Sequence, residues 1–150
     1  MNYEEAVAYI EETPKFTTKN KMEHTKECLK RLGNPQDKFR VIHVAGTNGK
    51  GSTCAFLTSI LREAGYSCGL FTSPHLVVIN ERFQINEKNI SDEVFLDAFC
   101  KVKELADELV KEENYHPTYF EFLFLMGMVI FADADVDYVV LETGLGGRLD

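Results

Sequence analysis

The chain has 150 residues, of which 45% are apolar and 27% charged. That is the size of one ordinary domain with enough apolar surface for a real core, which excludes wholesale disorder. Sixteen Lys and Arg against 24 Asp and Glu leave a formal charge of -8, so the global basic footprint of a nucleic-acid or anionic-membrane binder is absent. Between Lys15 and Lys50, however, nine bases face three acids, whereas from Gly51 onward seven bases face 17 acids. A local basic stretch in an acidic chain suits a small anionic ligand better than a polymer.

The N-terminus, Met1-Asn2-Tyr3-Glu4-Glu5, is acidic where a signal peptide would be basic and then apolar. Cys28, Cys54, Cys68 and Cys100 are spaced by 26, 14 and 32 residues. Without a C-x-x-C pair they offer neither a zinc knuckle nor a redox dithiol, and they read as reduced thiols of a cytoplasmic protein. The most apolar stretch, Tyr119 to Ala132, contains Glu121 and is shorter than the roughly 20 residues of a membrane span. It is expected as a buried helix.

In chain order, helical spacing runs from Tyr3 to Glu12 and breaks at Thr13-Pro14. A second helix is predicted from about Met22 to Leu32, stopping at Gly33-Asn34-Pro35. Val41 to Ala45 reads as a strand buried on both faces. A glycine-rich loop, Gly46 to Thr53, leads into a helix from Cys54 to Ala64, and Cys68 to Phe71 is the next strand. Together they form a βαβ unit. A loop with Pro74 follows, and Arg82 to Ile85 alternates like an edge strand or hairpin arm. Ser91 opens a long amphipathic helix to about Glu113, with Asp92 and Glu93 at the positive end of its dipole. Thr118-Tyr-Phe-Glu121 is a capping box opening the apolar helix, and Asp137 to Glu142 is a further buried strand. The pattern predicts an α/β fold, a mainly parallel sheet with helices on both faces.

The chemistry concentrates at Gly46-Thr47-Asn48-Gly49-Lys50-Gly51-Ser52-Thr53. Three glycines let backbone N–H groups approach anionic oxygens, and the helix that follows aims its dipole at the same place. Lys50 adds a full charge, and Ser52 and Thr53 add hydroxyls. The loop departs from the general phosphate-loop pattern: its first glycine is missing and Gly51 follows the lysine. Glu142 ends an apolar strand at the carboxyl edge, where ligands bind in open α/β sheets. A carboxylate there can hold Mg²⁺ or cap the next turn. Ser73 lies just after the strand that completes the βαβ unit, where a hydroxyl can ligate metal, although Ser-Pro is also an ordinary turn. His75 is a candidate substrate contact. His24, His43 and His116 carry no spacing signal. The last loop, Thr143 to Asp150, calls for a following helix, so the chain is expected to be the first part of a longer protein.

Three ordered motifs, His43 to Thr53, Leu70 to Leu76 and Leu141 to Asp150, resemble the folylpolyglutamate synthase and dihydrofolate synthase family of Mur-type ATP-dependent amide ligases. Lys15 to Lys21 and Thr118 to Phe122 are similar to weaker stretches of that family. The resemblance implies a phosphate-loop NTPase-like fold, with residues 1–150 as the N-terminal portion of an incomplete Mur-ligase-type ATP-binding domain. It also implies a reaction in which ATP phosphorylates a folate or dihydropteroate carboxylate and L-glutamate attacks the acyl phosphate. Lys50 would be catalytic, and Gly46 to Thr53 would cradle ATP. Ser73 and Glu142 would be Mg²⁺ ligands, and Phe120 and Asp150 would contact the pterin. The family also implies a metal-binding histidine, a carbamylated lysine and a C-terminal domain downstream, and a monomer when complete, with no nucleic-acid or membrane partner. Dihydrofolate and polyglutamate makers share all these motifs. The loop alone would also suit a small-molecule kinase or a non-catalytic nucleotide- or pterin-binding module.

Overall fold

The computed structural model describes residues 1–14, 22–45 and 49–142. They divide into two compact units, one comprising Met1–Gln36 and Asp92–Ile130 and the other Asp37–Ser91 and Phe131 onward.

The first unit is helical. Helix α1 (Tyr3–Glu11) starts at Asn2, whose side chain accepts the Glu5 N–H at 2.8 Å while Glu5 accepts the Asn2 N–H at 3.0 Å. That reciprocal cap satisfies two otherwise orphaned donors. Helix α2 spans Met22–Arg31 and ends where Gly33 and Asn34 adopt positive φ, the left-handed turn expected of a helix stop. Helix α4 (Asp92–Glu113) buries Phe95, Ala98, Phe99, Val102, Leu105, Ala106 and Leu109 at intervals of three and four, one stripe of a 3.6-residue repeat. Tyr3 and Tyr9 of α1 meet Phe95 and Phe99 edge to face, at 5.4 and 5.5 Å between ring centroids.

Helix α5 (Tyr119–Asp133) is apolar almost all round and correspondingly buried. Its predicted capping box is present: Glu121 N–H donates to Thr118 Oγ1 at 3.2 Å and Thr118 N–H to Glu121 Oε1 at 2.8 Å. Among the described residues, no helix is long and apolar enough to cross a membrane.

The second unit is built on a five-stranded sheet of order β1-β5-β2-β3-β4. Its strands are β1 (Arg40–Val44), β2 (Cys68–Phe71), β3 (Phe83–Ile85), β4 (Lys88–Asn89) and β5 (Tyr138–Glu142). β1, β5 and β2 run parallel, and β3 and β4 add an antiparallel hairpin. Helix α3 (Lys50–Glu63) covers one face, where Cys54, Leu57 and Leu61 pack with Leu70, Val140, Ile42 and Val44. On the opposite face, Gly69 lies under the ring of Phe131 from the last turn of α5. The α/β class with helices on both faces therefore holds, with the parallel part confined to three strands.

Two local expectations need correction. β1 is not buried on both faces: it pairs with β5 alone among the described residues, and Val41 is 44% exposed. Helix α3 starts at Lys50, four residues before the expected Cys54, because Gly49 supplies a left-handed cap (φ 74°) from which the helix begins directly. The strand order, which the sequence leaves open, sets β1 and β2 apart. β5, some 70 residues further along, inserts between them.

Candidate active site

The insertion of β5 assembles the site. Because β1, β5 and β2 are parallel, their carboxyl ends share one edge of the sheet, the edge at which open α/β sheets bind ligands. The register is pinned at the opposite end. Asp137 accepts the Ser67 N–H at 2.9 Å and the Ser67 hydroxyl at 3.1 Å, and its own N–H donates to Ser67 Oγ at 2.9 Å. With the strand starts tied, Glu142 falls opposite Val44, and Leu141 opposite Phe71. Glu142 is thus the residue at which β5 leaves the sheet, on the α3 side, and it is buried.

Helix α3 is the next described element after β1 in chain order, and the last residue of β1, Val44, is the one that pairs with Glu142. The N-cap of α3 is Gly49, which has no side chain to offer, and no side-chain hydrogen bond caps this helix. Its first turn, Lys50 to Thr53, also carries no acid. Every other described α-helix places at least one acid there: Glu4 and Glu5, Glu23, Asp92 and Glu93, and Glu121. An acid or a cap normally satisfies the positive helix end. At α3 both are withheld, and Gly51, Ser52 and Thr53 are exposed. Such an end suits a phosphate. Gly46, Thr47, Asn48 and the side chain of Lys50 lie outside the described residues.

Ser73 follows β2 by two residues and is half-buried, and the Ser73–Pro74 peptide bond is cis. Since Phe71 pairs with Leu141, Thr72 and Glu142 are the next residues along adjacent strands, and Ser73 is one further. A serine hydroxyl and a carboxylate are hard oxygen donors. Among the described residues no cluster of three or more His, Cys, Asp and Glu could hold a metal. Two oxygens with the remaining positions left to water and phosphate is a donor set that fits Mg²⁺, which keeps several waters and prefers substrate phosphates to an all-protein cage.

His75 is half-buried and accepts a hydrogen bond from Arg82 Nε at Nδ1, 2.8 Å away. A guanidinium can only donate, so Nδ1 carries no proton. Arg82 is itself buried, and its carbonyl receives the Thr72 N–H at 3.0 Å. Next to it, Glu81 accepts the N–H groups of Leu76, Val77 and Val78 at 2.8, 2.9 and 2.9 Å. These backbone donors, that of Leu76 foremost, hold its carboxyl below the usual carboxylate range. Sequence reasoning missed both residues. Arg82 read as the start of a strand, and a glutamate three residues after a valine carries no capping signature.

Phe120 lies in the second position of α5, in the helical unit, and is half-buried. Asp150 lies outside the described residues.

No family model matches the chain. It is 44% identical over 149 residues to the dihydrofolate synthase/folylpolyglutamate synthase of Bacillus subtilis, covering 99% of this chain and 35% of that protein. It is likewise 44% identical over 158 residues to a folylpolyglutamate synthase of Arabidopsis thaliana, covering 99% of this chain and 28% of the relative. The crystal structure of Thermotoga maritima folylpolyglutamate synthase superimposes with a TM-score of 0.90 at 39% identity, over 99% of this chain and 34% of that one. A solved FPGS–AMPPCP–folate complex gives a TM-score of 0.93 at 36% identity, over 100% of this chain and 37% of that one. The chain therefore spans about a third of the length of these relatives.

Proposed function

We propose, since this chain belongs to the folylpolyglutamate synthase and dihydrofolate synthase family, that it is the N-terminal portion of an ATP-dependent ligase. The ligase adds L-glutamate to a folate or dihydropteroate carboxylate in the cytoplasm, and works as a monomer when complete. The observation that carries this reading is the start of α3, left without acid or side-chain cap, at the sheet edge where Glu142 ends β5. The solved complex of a relative with AMPPCP and folate supports a nucleotide and a folate as its ligands.

In this reading Gly46 to Thr53 wraps the ATP phosphates. Their N–H groups and Lys50 offset the negative charge that the phosphates bring together. Ser73 and Glu142 would hold Mg²⁺, which when bound supplies charge neutralisation on the phosphate oxygens. A carboxylate oxygen of the folate attacks the γ-phosphorus, and the bond from that phosphorus to the ADP oxygen breaks. The glutamate amino group then attacks the acyl carbon, loses a proton, and phosphate leaves with the electron pair of the C–O bond. The protein's part is to hold carboxylate and γ-phosphate in line and keep water out. Phe120 and Asp150 are proposed as the pterin contacts, Phe120 offering a ring face and Asp150 a carboxylate to the ring N–H donors.

The test is a product analysis of the full-length ligase supplied with MgATP, a folate and glutamate. Phosphate release that requires glutamate, with a product one glutamyl unit heavier, is expected. A stable phosphorylated metabolite formed without glutamate would overturn the ligase reading in favour of a kinase.

A further inference from the structure

The loop that follows β2 has an unusual construction. Leu76 and Val77 are 91% and 83% exposed, and Pro74 is exposed as well. Among the described residues, side chains so exposed gain little hydrophobic contact to fix the loop's shape. Its conformation is held instead by polar contacts with the short 3₁₀ helix Ile79–Arg82. Glu81 takes three successive N–H groups, from Leu76, Val77 and Val78. Arg82 ties down the His75 ring, and Thr72 is bound at both ends, its N–H to Arg82 O and its hydroxyl to Glu81 O at 3.4 Å. Hydrogen bonds to an ionised carboxylate are roughly twice as strong as neutral ones. Three on one side chain make Glu81 the principal anchor of the segment.

We propose that Glu81 is a positioning residue of the ligase: its carboxylate, by holding the 76–78 backbone, fixes the loop that presents Ser73 and His75 at the carboxyl edge of the sheet. The inference rests on the reading of Ser73 given above. Glu81 is eight residues from Ser73, and no contact with a reacting group is needed. Glu81→Gln is isosteric, but it turns one acceptor oxygen into an NH₂ group facing a backbone donor. The clamp then loses its charge and at least one of its bonds.

The test combines amide hydrogen exchange without nucleotide or metal with steady-state kinetics, on the full-length ligase and its Glu81→Gln, Glu81→Asp and Ser73→Ala variants. In Glu81→Gln, exchange at Leu76, Val77 and Val78 should rise about tenfold or more while the amides of β2 and β5 stay as protected as before. Turnover should fall about tenfold or more, with the KM for ATP within about threefold, because the phosphates are held by the other loop. Glu81→Asp, which keeps the charge, should recover part of both. Unchanged exchange at 76–78, or faster exchange with turnover within twofold of wild type, would overturn the proposal. So would a loss of protection that spreads through β2 and β5, because the effect would then be a general loosening. Ser73→Ala separates the two claims. If it too is within twofold of wild type, the role of Ser73 fails, whereas a neutral Glu81→Gln beside an impaired Ser73→Ala sinks the role of Glu81 alone.

Discussion

Glu142 lies directly across from Val44 where β5 and β1 run side by side, so the strand that ends in a buried carboxylate stops level with the strand that precedes Gly46 to Thr53 in the chain. Neither residue predicts the other in sequence, being almost a hundred positions apart. In the proposed site Glu142 supplies a carboxylate to Mg²⁺. Glu142→Gln should keep the fold, with an unfolding midpoint close to wild type, and should lower turnover of the full-length ligase on the order of 100–1000-fold, as loss of one preorganised charged group does. Mg²⁺-dependent rates with parallel thermal denaturation check it. A variant within a few-fold of wild type would remove Glu142 from the site.

Gly69 is required for a reason of space. A Cβ placed there would overlap Cδ1 of Phe131 and lie 2.7 and 2.9 Å from its Cε1 and Cγ. That ring is fully buried and also meets Phe39 edge to face at 6.4 Å, so it has little freedom to give way. Gly69→Ala should destabilise by about 1–3 kcal/mol, read as a lowered urea midpoint with an unchanged slope. An unaltered midpoint would mean that the face opposite α3 is packed more loosely than described.

None of the four cysteines forms a disulfide, and of these only Cys100 is exposed. Burial, reinforced by the Glu121 carboxylate, pushes the Cys28 thiol up to about 12. A thiol reagent at pH 8 should therefore label one site quickly in the native chain, and the other three only on unfolding. The same shift sets a pH dependence. The unfolded thiol ionises near 9.0 and the folded one near 12, so the unfolded chain gives up a proton that the fold retains. The stability contributed by this group is complete below pH 9 and is lost as the pH rises toward 12. Denaturation midpoints measured between pH 8 and pH 11 should fall, and fall less steeply in Cys28→Ala.

In the helical unit, His116 Nδ1 lies 2.7 Å from the Pro117 carbonyl, which can only accept, so that nitrogen carries the proton. Nε2 is then the acceptor of the Tyr9 hydroxyl at 2.6 Å. Tyr9→Phe keeps the ring packing against Phe99 and Phe122 and removes this donor. A loss of about 0.5–1.5 kcal/mol is expected in chemical denaturation. No loss would show that water replaces the hydroxyl without cost.

Much of this architecture was legible because it rests on local chemistry. The Thr118–Glu121 box, the Gly33-Asn34 stop and the 3.6-residue stripe of α4 are each written within a few residues, and each is found where expected. The carboxyl edge was also legible, since buried strands ending in Phe71 and Glu142 announce it. What escaped depends on contacts distant in sequence. That β5 would separate β1 from β2 is decided by pairings and by the Ser67–Asp137 tie, 70 residues apart. The exposure of β1 follows from its outer place in the sheet, although Val41, Ile42 and Val44 read as an interior strand. Glu81 escaped because its partners are backbone N–H groups, which every loop possesses.

The central claim is that a polyphosphate site stands at the carboxyl edge and depends on Lys50. Thermal unfolding of the chain with and without MgATP, beside Lys50→Ala, tests it most directly. A ligand at about 100 times its Kd stabilises by about 2.7 kcal/mol, about 5–10 °C for a chain of this size. The account predicts a rise of that order in the wild-type chain and none in Lys50→Ala. Equal midpoints with and without MgATP in the wild-type chain, or a rise that survives Lys50→Ala, would contradict it.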